Sequence, residues 1–290
     1  MLLNKQIAVV GGDARSIYMI EQLASKNATI YAIGFANIDF NSRYVTKCTI
    51  DNVLFISLDA LILPVHGMDE TFTVDQYFPT GEIKLSKKMF ENLPQHSVIF
   101  TGTAKEPLKK LCQTVQRELI VLYELEQVAI LNALPTAEAT LQLAMQHTRR
   151  IIHGQNVMIT GFGRVAKATA RLFQAVRASV HIVARSETDL AAAKTQGLQA
   201  ISLKQMNNLI PSMNIFINTI PQLIFSADHI NDMSQQALII DVASNPGGTD
   251  FSAAQILGIK AIHALGLPGK TAPITAGEII TEPVINRLLS

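Results

Sequence analysis

Residues 159–170 read ITGFGRVAKATA, and they indicate both the architecture and the chemistry of the chain. An apolar run precedes them, Gly161 and Gly163 turn the chain, and small residues suited to a helix follow. With Ala166, the glycines fit the G-x-G-x-x-G/A pattern in the strand-then-helix context that this pattern requires. Gly161 allows a tight turn, Gly163 admits a diphosphate, and Ala166 lets helix and strand pack closely. The segment predicts a dinucleotide-binding turn, with a purely structural turn as the alternative. The predicted contacts are Gly161, Phe162, Gly163, Arg164 and Val165.

The residues after the next predicted strand bear on which dinucleotide binds. The strand SVHIVA (179–184) ends at Arg185-Ser186, where NAD sites usually carry Asp or Glu. A carboxylate would repel a 2′-phosphate, whereas the guanidinium of Arg185 can bind it with two hydrogen bonds, and Ser186 adds a hydroxyl. The sequence therefore favours NADP. The alternative is an ordinary exposed arginine after a buried strand.

Two further turns close predicted strands at the same edge of the sheet. One follows NIFINTI (214–220) and the other follows ALIIDVA (237–243). Ligands of open parallel sheets lie beyond the carboxyl ends of the strands, so we expect both turns near the nicotinamide ribose. The alternative is that Asn, Ser and Pro simply form good turns. The candidate cofactor contacts here are Asn218, Thr219, Ile220, Pro221 and Ser244.

Short Ile-, Val- and Leu-rich runs alternate with helical stretches along the whole chain, as in buried parallel sheets. The pattern predicts an α/β fold with two Rossmann-like parallel-sheet domains, a linker helix between them, and a C-terminal helix that returns to the first domain. Residues 1–135 form the predicted substrate domain, and 136–273 the NADP-binding domain. The linker helix spans 136–150 and is opened by Pro135 and Thr136. The terminal helix spans 274–290, and Pro283 would kink or break it. The predicted strands are 6–10, 28–35, 58–65, 97–102, 119–123, 155–160, 179–184, 198–202, 214–220, 237–243 and 260–265.

The composition narrows the class of protein. Of 290 residues, 48% are hydrophobic and 16% charged, which favours buried sheets and a homo-oligomer. The net charge is +1 without a basic stripe, which argues against nucleic-acid binding. Cys48 and Cys112 indicate reduced thiols. No apolar run approaches the ~18 residues of a membrane span, and the start lacks signal-peptide features, so we expect a cytoplasmic protein. The histidines lack metal-ligand spacing, and no metal is expected.

The first glycine turn, VVGGDARS (9–16), departs from the dinucleotide pattern. Gly11 and Gly12 are adjacent, and Asp13 stands where it would repel a phosphate. We therefore expect the first domain to face the second across a cleft and to hold substrate. Arg15 is a candidate partner for a substrate carboxylate, the alternative being a plain turn with a surface arginine.

Several segments together resemble one known family. IAVVGGDAR, PTAEATLQLAMQHT, GFGR, ARS, and above all NPGGTDF and GLPGKTAP, are similar to the A-subunit family of dipicolinate synthases from spore-forming bacteria, over essentially the whole chain. The resemblance implies NADP-dependent oxidation of a dihydrodipicolinate-type compound to dipicolinate in the mother-cell cytoplasm. It also implies a partner, a flavoprotein-like B subunit. The two-domain layout is similar to that of D-2-hydroxyacid, shikimate and alanine dehydrogenases.

One departure from those dehydrogenases concerns catalysis. D-2-hydroxyacid dehydrogenases place a catalytic Arg after the strand that matches ALIIDVAS, where this chain has Ser244 and Asn245. Their catalytic His has no clear match, since His263 lies within a predicted strand. Loss of hydride and a proton from a dihydropyridine therefore fits better than reduction of a 2-oxo acid. Ser244 and Lys270 are the catalytic candidates, with a solvated loop charge as the alternative for Lys270.

A dicarboxylate substrate needs cationic or N–H partners. The candidates are Arg15, Gly102, Thr103, Thr136 at the predicted helix start, and Thr271. Two alternative functions stay open. The chain is either a non-catalytic subunit that holds the cofactor for a flavoprotein partner, or a different NADP-dependent small-acid dehydrogenase.

Overall fold

The computed structural model describes residues 1–76 and 81–290. They form two compact units: unit 1 consists of residues 1–129 and 272–290, and unit 2 of residues 130–271. Each unit contains one parallel six-stranded sheet flanked by helices. The predicted α/β class, the two Rossmann-like sheets and the return of the C-terminal helix to the first unit are confirmed.

The first half of the chain builds the sheet of unit 1. Its strands are β1 (Gln6–Val10), β2 (Thr29–Ile33), β3 (Val45–Cys48), β4 (Ala60–Ile62), β5 (Val98–Thr101) and β6 (Glu118–Val121). The helices are α1 (Ala14–Ser25), α2 (Lys87–Glu91), α3 (Glu106–Thr114) and α4 (Glu126–His147). The strand order is β3-β2-β1-β4-β5-β6, so the chain direction across the sheet reverses between β1 and β4.

The second half of the chain repeats this plan. Its strands are β7 (Asn156–Thr160), β8 (Ser179–Ala184), β9 (Gln199–Ser202), β10 (Ile215–Asn218), β11 (Leu238–Asp241) and β12 (Lys260–His263). The helices are α5 (Arg164–Ala175), α6 (Glu187–Thr195), α7 (Ala227–Asn231), α8 (Phe251–Ile256), α9 (Leu267–Thr271) and α10 (Pro273–Leu289). The order β12-β11-β10-β7-β8-β9 places the reversal between β7 and β10.

Both sheets are apolar on their two faces because the central strands carry no polar alternation. In β1, Ile7 and Val9 pack into one core of unit 1, while Ala8 and Val10 pack into the other. Successive side chains of a strand point to opposite faces, so a continuous apolar run fills two cores. The β1–α1–β2 and β7–α5–β8 segments are in step, since β1 starts at residue 6 and β7 at residue 156, and α1 at 14 and α5 at 164.

The linker helix is longer than predicted. It begins at Glu126, not at Pro135 or Thr136, and ends at His147. Proline in the interior removes one backbone hydrogen bond but does not stop a helix that packing holds on both sides. The hydroxyl of Thr136 donates to the carbonyl of Asn132 at 2.9 Å, one turn earlier. The predicted boundaries 135/136 and 273/274 thus fall inside α4 and at the start of α10.

The terminal helix also runs through its proline. Helix α10 extends from Pro273 to Leu289 with Pro283 in its interior, so the expected break does not occur. It packs along α1, where Gly277 allows close approach: a Cβ at this position would lie 2.8 Å from the carbonyl oxygen of Arg15.

Candidate functional site

The turn after β7 has a backbone that only glycine adopts without strain. Gly161 has φ +91°, and a Cβ there would lie 2.7 Å from the hydroxyl oxygen of Thr219. Its N–H donates to the carbonyl of Val183 at 2.8 Å, which joins the turn to β8. The chain therefore leaves β7 sharply and enters α5 within a few residues.

The start of α5 is open. Gly163 is the N-cap residue with φ −78° and ψ −168°, and within the described residues no side chain caps the helix there. A Cβ built on Gly163 would meet no atom within 4 Å. The first N–H groups of a 12-residue helix thus point into free space at the positive end of its dipole. These residues fit a dinucleotide diphosphate, because uncapped amides and room beside the backbone are what such a group needs.

The other residues of this turn divide into packing and surface positions. The Phe162 ring is buried in the unit 2 core with the Lys167 Nζ atom 5.2 Å from its centroid, so only its backbone is on offer to a ligand. Ala166 is fully buried against the sheet, as predicted for close packing of helix and strand. Val165 is half-buried and Arg164 is exposed.

The two residues predicted to select NADP follow β8 directly. Arg185 is exposed at the carboxyl end of the strand. Ser186 is the N-cap of α6, and its hydroxyl oxygen accepts a hydrogen bond from the Asp189 N–H at 3.2 Å. The Ser186 hydroxyl hydrogen is not used in this cap, so it can still be donated to a ligand.

Asn218 lies at the end of β10 and is completely buried, with its amide fully engaged inside the protein. Its oxygen accepts from the Thr160 hydroxyl at 2.7 Å and from the Ile220 N–H at 3.2 Å. Its nitrogen donates to the Ile220 carbonyl and to the Asp241 carboxylate, both at 2.9 Å. Asn218 therefore shapes the turn, while the half-buried Thr219 and Ile220 and the exposed Pro221 form its surface.

Asp241 is a buried residue that sequence reasoning did not single out as a site residue. Its carboxylate also accepts from the Ala243 and Gly248 N–H groups at 3.1 and 2.7 Å and from the Thr249 hydroxyl at 2.8 Å. It therefore ties the loop after β11 to the turn after β10. The available signal was a single charge at the end of the apolar run ALIID.

The catalytic candidates lie in different segments of unit 2. Ser244 is exposed in the loop after β11, and its carbonyl accepts from the Gly247 N–H at 2.9 Å. Lys270 is exposed, but it belongs to the short helix α9 and not to a loop. Thr271 ends the same helix and donates its hydroxyl hydrogen to the Leu267 carbonyl at 2.8 Å.

Arg15 is not the free surface cation that the sequence suggested. It is only 4% exposed, and its Nε atom donates to Asp13 Oδ1 at 2.9 Å while Nη1 donates to the Tyr123 hydroxyl at 2.6 Å. Burial alone would raise the pKa of Asp13, but the hydrogen bonds and charge of Arg15 outweigh it and lower that pKa. Burial likewise opposes the charge of Arg15, and the contacts with Asp13 and Tyr123 reverse this and raise its pKa. The guanidinium is thus committed to an internal ion pair.

The remaining substrate candidates are also bonded within the protein. Gly102 packs closely, since a Cβ there would lie 2.6 Å from the Val65 carbonyl oxygen. The Thr103 N–H and hydroxyl both donate to that same oxygen, at 2.7 and 3.1 Å. Thr136 lies inside α4 and is buried, so the prediction that it starts a helix is wrong. Its N–H is not a free helix-terminal donor.

A cavity of about 160 Å³ lies in unit 1 where β1 and β4 end, next to the reversal in strand order. Gly12, Asp13, Pro64 and His66 are among its lining residues. Ligands of open parallel sheets bind at such a position. Within residues 1–76 and 81–290, no three His, Cys, Asp or Glu side chains cluster as a metal site. In the same ranges, no helix combines the length and apolarity needed to cross a membrane.

Comparisons with known proteins agree with this geometry. The model of the N-terminal domain of the dipicolinate synthase A subunit matches residues 6–123, and that of the D-isomer-specific 2-hydroxyacid dehydrogenase NAD-binding domain matches residues 131–247. The A subunit of dipicolinate synthase from Bacillus subtilis (strain 168) is 39% identical over all of this chain and 97% of its own length. This chain belongs to the dipicolinate synthase A-subunit family. Membership confirms the resemblance seen in the sequence and supports an oxidoreductase with a nicotinamide cofactor.

Solved structures extend the comparison. The A subunit of dipicolinate synthase from Bacillus halodurans superposes with a TM-score of 0.96 at 38% identity, covering 100% of this chain and 99% of that one. A transhydrogenase from Sinorhizobium meliloti has a TM-score of 0.69 at 11% identity, covering 97% and 92% of the two chains. The second likeness shows a shared fold alone. As a family member named for one of several subunits, this chain has relatives that are part of a larger synthase.

Proposed function

We propose that this protein is the A subunit of a dipicolinate synthase and oxidises a dihydrodipicolinate-type compound to dipicolinate with NADP. The observation that carries the proposal is the open helix start at Gly163, in a chain whose family relatives are dipicolinate synthase A subunits over their full length. An uncapped helix start in one of two similar units marks that unit as the nucleotide-binding one.

The cofactor would rest on backbone amides between Gly161 and Val165, with Arg185 and the Ser186 hydroxyl facing a 2′-phosphate. Exposure of Arg185 beside a strand end supports this role. When bound, the cofactor supplies a nicotinamide ring that accepts a hydride. The protein's own contribution is to orient the ring, through the turn that Asn218 shapes and the exposed Ser244 beyond β11.

The substrate would be held by unit 1, with Lys270 of unit 2 as a further carboxylate partner. The cavity where β1 and β4 end supports a binding role for unit 1. Arg15 contributes by holding Asp13 in place and not by direct contact. Gly102, Thr103 and Thr271 keep carbonyl or hydroxyl acceptors at the surface, and the first two lie beyond β5.

A second function rests on one observation. The carboxylate closest to the cofactor turns, Asp241, has its oxygens occupied by four hydrogen bonds, so it is not a free proton acceptor. We infer that the main competing function is to hold the cofactor while a flavoprotein-like B subunit completes the reaction. A different NADP-dependent small-acid dehydrogenase is the third candidate.

Self-association is also part of the proposal. Helix α4 exposes large apolar side chains, with Leu134 51% and Met145 54% exposed, beside a groove of about 370 Å³. Exposed apolar surface of this kind favours an interface between protein chains. Light scattering on the purified chain, in a buffer that resembles the mother-cell cytoplasm, measures whether it is a homo-oligomer.

Two measurements test the proposed function. Titrations of NADPH and NADH, followed by nucleotide fluorescence, should give at least tenfold tighter binding of NADPH, and equal affinities would contradict the NADP assignment. Absorbance of dipicolinate formed from dihydrodipicolinate and NADP is then measured with this protein alone and together with its B-chain partner. Turnover by this protein alone supports the leading proposal, whereas turnover only with the partner supports the cofactor-holding function.

A further inference from the structure

The carboxylate of Asp241 is buried at the end of a central strand. Its residue has no exposed surface, and each of its oxygens accepts two hydrogen bonds. The amide of Asn218 and the backbone N–H of Ala243 donate to Oδ1, and the N–H of Gly248 and the hydroxyl of Thr249 donate to Oδ2. Four donors around two oxygens is the pattern of an ionised carboxylate, which has no proton to give.

This negative charge has no cation beside it. Within the described residues, no lysine or arginine forms an ion pair with Asp241, and all of its partners are neutral donors. The titratable side chain that approaches it is His263 on β12: a Cβ on Gly247 would be 3.2 Å from Asp241 Oδ2 and 3.1 Å from His263 Nε2. Burying a charge without a counter-ion is costly, so its retention here points to a use.

The position of the charge suggests that use. Strand β11 lies next to β10, and Asp241 pairs in register with Asn218 at the carboxyl ends of both strands. Strand order reverses between β7 and β10, so a dinucleotide spans that point with one half on either side. Arg185 marks the β8 side as the adenosine half, which leaves β10 and β11 for the nicotinamide half.

The nicotinamide ring changes charge when it reacts. The oxidised ring is a pyridinium cation, and acceptance of a hydride, with its electron pair, makes the ring neutral. Coulombic interactions inside a protein are less screened than in water, so a nearby buried carboxylate distinguishes the two forms.

We propose that Asp241 is a specificity-determining residue that makes unit 2 bind the oxidised cofactor more tightly than the reduced one. The inference rests on the proposed function, since it requires that unit 2 binds a nicotinamide dinucleotide. It follows that the site loads the oxidised form in competition with the reduced form, and that the neutral ring formed by the reaction is released more readily. Formation of an aromatic ring in the product offsets the stronger hold on the oxidised cofactor.

The test compares dissociation constants in the wild type and in Asp241→Asn, a variant of nearly the same shape without the charge. Calorimetry gives the values for NADP+, NADPH, NAD+ and NADH, and for 2′,5′-ADP, which has no nicotinamide. We expect the ratio of Kd for the reduced form to Kd for the oxidised form to fall at least fivefold in Asp241→Asn. The affinity for 2′,5′-ADP should stay within twofold. Thr249→Val is the matched control, since it removes one donor and keeps the charge, and its ratio should equal that of the wild type.

The outcomes separate this inference from the function on which it rests. An unchanged ratio in a folded Asp241→Asn that still binds nucleotides overturns the role of Asp241 and leaves the proposed function intact. If none of the four dinucleotides binds to the wild type, the proposed function itself fails, and this inference with it.

If circular dichroism shows that Asp241→Asn does not fold, His263→Lys decides instead, because it puts a permanent cation on a half-buried edge-strand position near the carboxylate. The ratio should then fall relative to His263→Gln, and equal ratios in these two variants overturn the inference.

Discussion

The two glycine turns of this protein have the same frame and different contents. Each follows a five-residue strand and starts a 12-residue helix. In unit 1, the carboxylate of Asp13 caps α1 by accepting from the Arg15 N–H at 3.0 Å, whereas in unit 2 Gly163 leaves α5 uncapped. The difference shows that one backbone design either supplies its own anion or stays available for an external one.

The space beside the two turns differs in the same sense. A Cβ on Gly11 would lie 2.4 Å from the Asp75 carbonyl oxygen, and one on Gly12 would lie 2.2 Å from the Ser16 hydroxyl oxygen. A Cβ on Gly163 meets nothing within 4 Å. The turn in unit 1 is therefore filled by the protein, and the glycines there serve packing and conformation.

Gly163→Asp would sharpen this comparison most, because it gives the second turn the cap residue of the first. We expect dinucleotide affinity to fall by about 100-fold, or about 2.8 kcal/mol, from repulsion of the diphosphate and occupation of the amides. Thermal stability should be unchanged, since the new side chain enters open space. Fluorescence titration and thermal denaturation measure the two effects. Gly163→Asn, a cap without charge, is the control and should lose less; wild-type affinity in Gly163→Asp would refute the open-turn assignment.

Gly12→Ala tests the opposite behaviour in unit 1. With φ +109° and the Ser16 hydroxyl in the way, we expect a loss of about 2–3 kcal/mol in unfolding free energy and no change in dinucleotide affinity. Urea denaturation monitors the first quantity. Gly154→Ala is the matched control, because Gly154 has φ +76° but open surroundings, and its loss should be smaller. A drop in nucleotide affinity in Gly12→Ala would mean that the turn in unit 1 also serves the cofactor.

Arg185→Ala concerns which dinucleotide the open turn accepts. Loss of a charge-assisted contact with the 2′-phosphate should weaken NADPH binding by about tenfold to thirtyfold, or about 1.4–2 kcal/mol, and leave NADH binding unchanged. Parallel fluorescence titrations give both values. Arg171→Ala removes another exposed arginine of unit 2 and should change neither. Equal losses for NADPH and NADH in Arg185→Ala would show that the residue does not recognise the phosphate.

The smallest expected effect concerns the internal anion of unit 1 and its dependence on pH. Contacts with Arg15 hold the pKa of Asp13 below its usual value of about 3.9. A lowered folded-state pKa stabilises the protein above the unfolded value, and the stabilisation is lost as pH falls through the folded value. Because Asp13 is one-third exposed, we expect only about 1 kcal/mol. Urea denaturation from pH 6 to pH 2.5 should show this loss in the wild type but not in Asp13→Asn, and parallel curves would contradict it.

The sequence was most informative where structure is locally determined. Continuous apolar runs identified the buried strands, but β3 (VTKC) at the edge of its sheet was missed because none of its residues is fully buried. Glycines at tight turns were readable because their backbone conformation depends on few neighbours. The start of α4 was misplaced, since Pro135 was interpreted as a helix opener although the preceding residues already form the helix.

The side-chain partners of the candidate site could not be predicted in the same way. Arg15 contacts Tyr123, which lies 108 residues away along the chain, and Asp241 contacts Asn218, 23 residues away on the neighbouring strand. Such pairs depend on strand order, which periodicity does not reveal. Arg15 was therefore interpreted as a free cation, and the charge of Asp241 received no role.

Asp13 has one more consequence, for stoichiometry. Because this carboxylate is tethered to the helix it caps, its effective concentration there exceeds that of any nucleotide in solution. The duplicated turn is thus permanently self-inhibited as a phosphate site. Calorimetric titration should therefore saturate at a molar ratio of one dinucleotide per polypeptide, even with the cofactor in large excess.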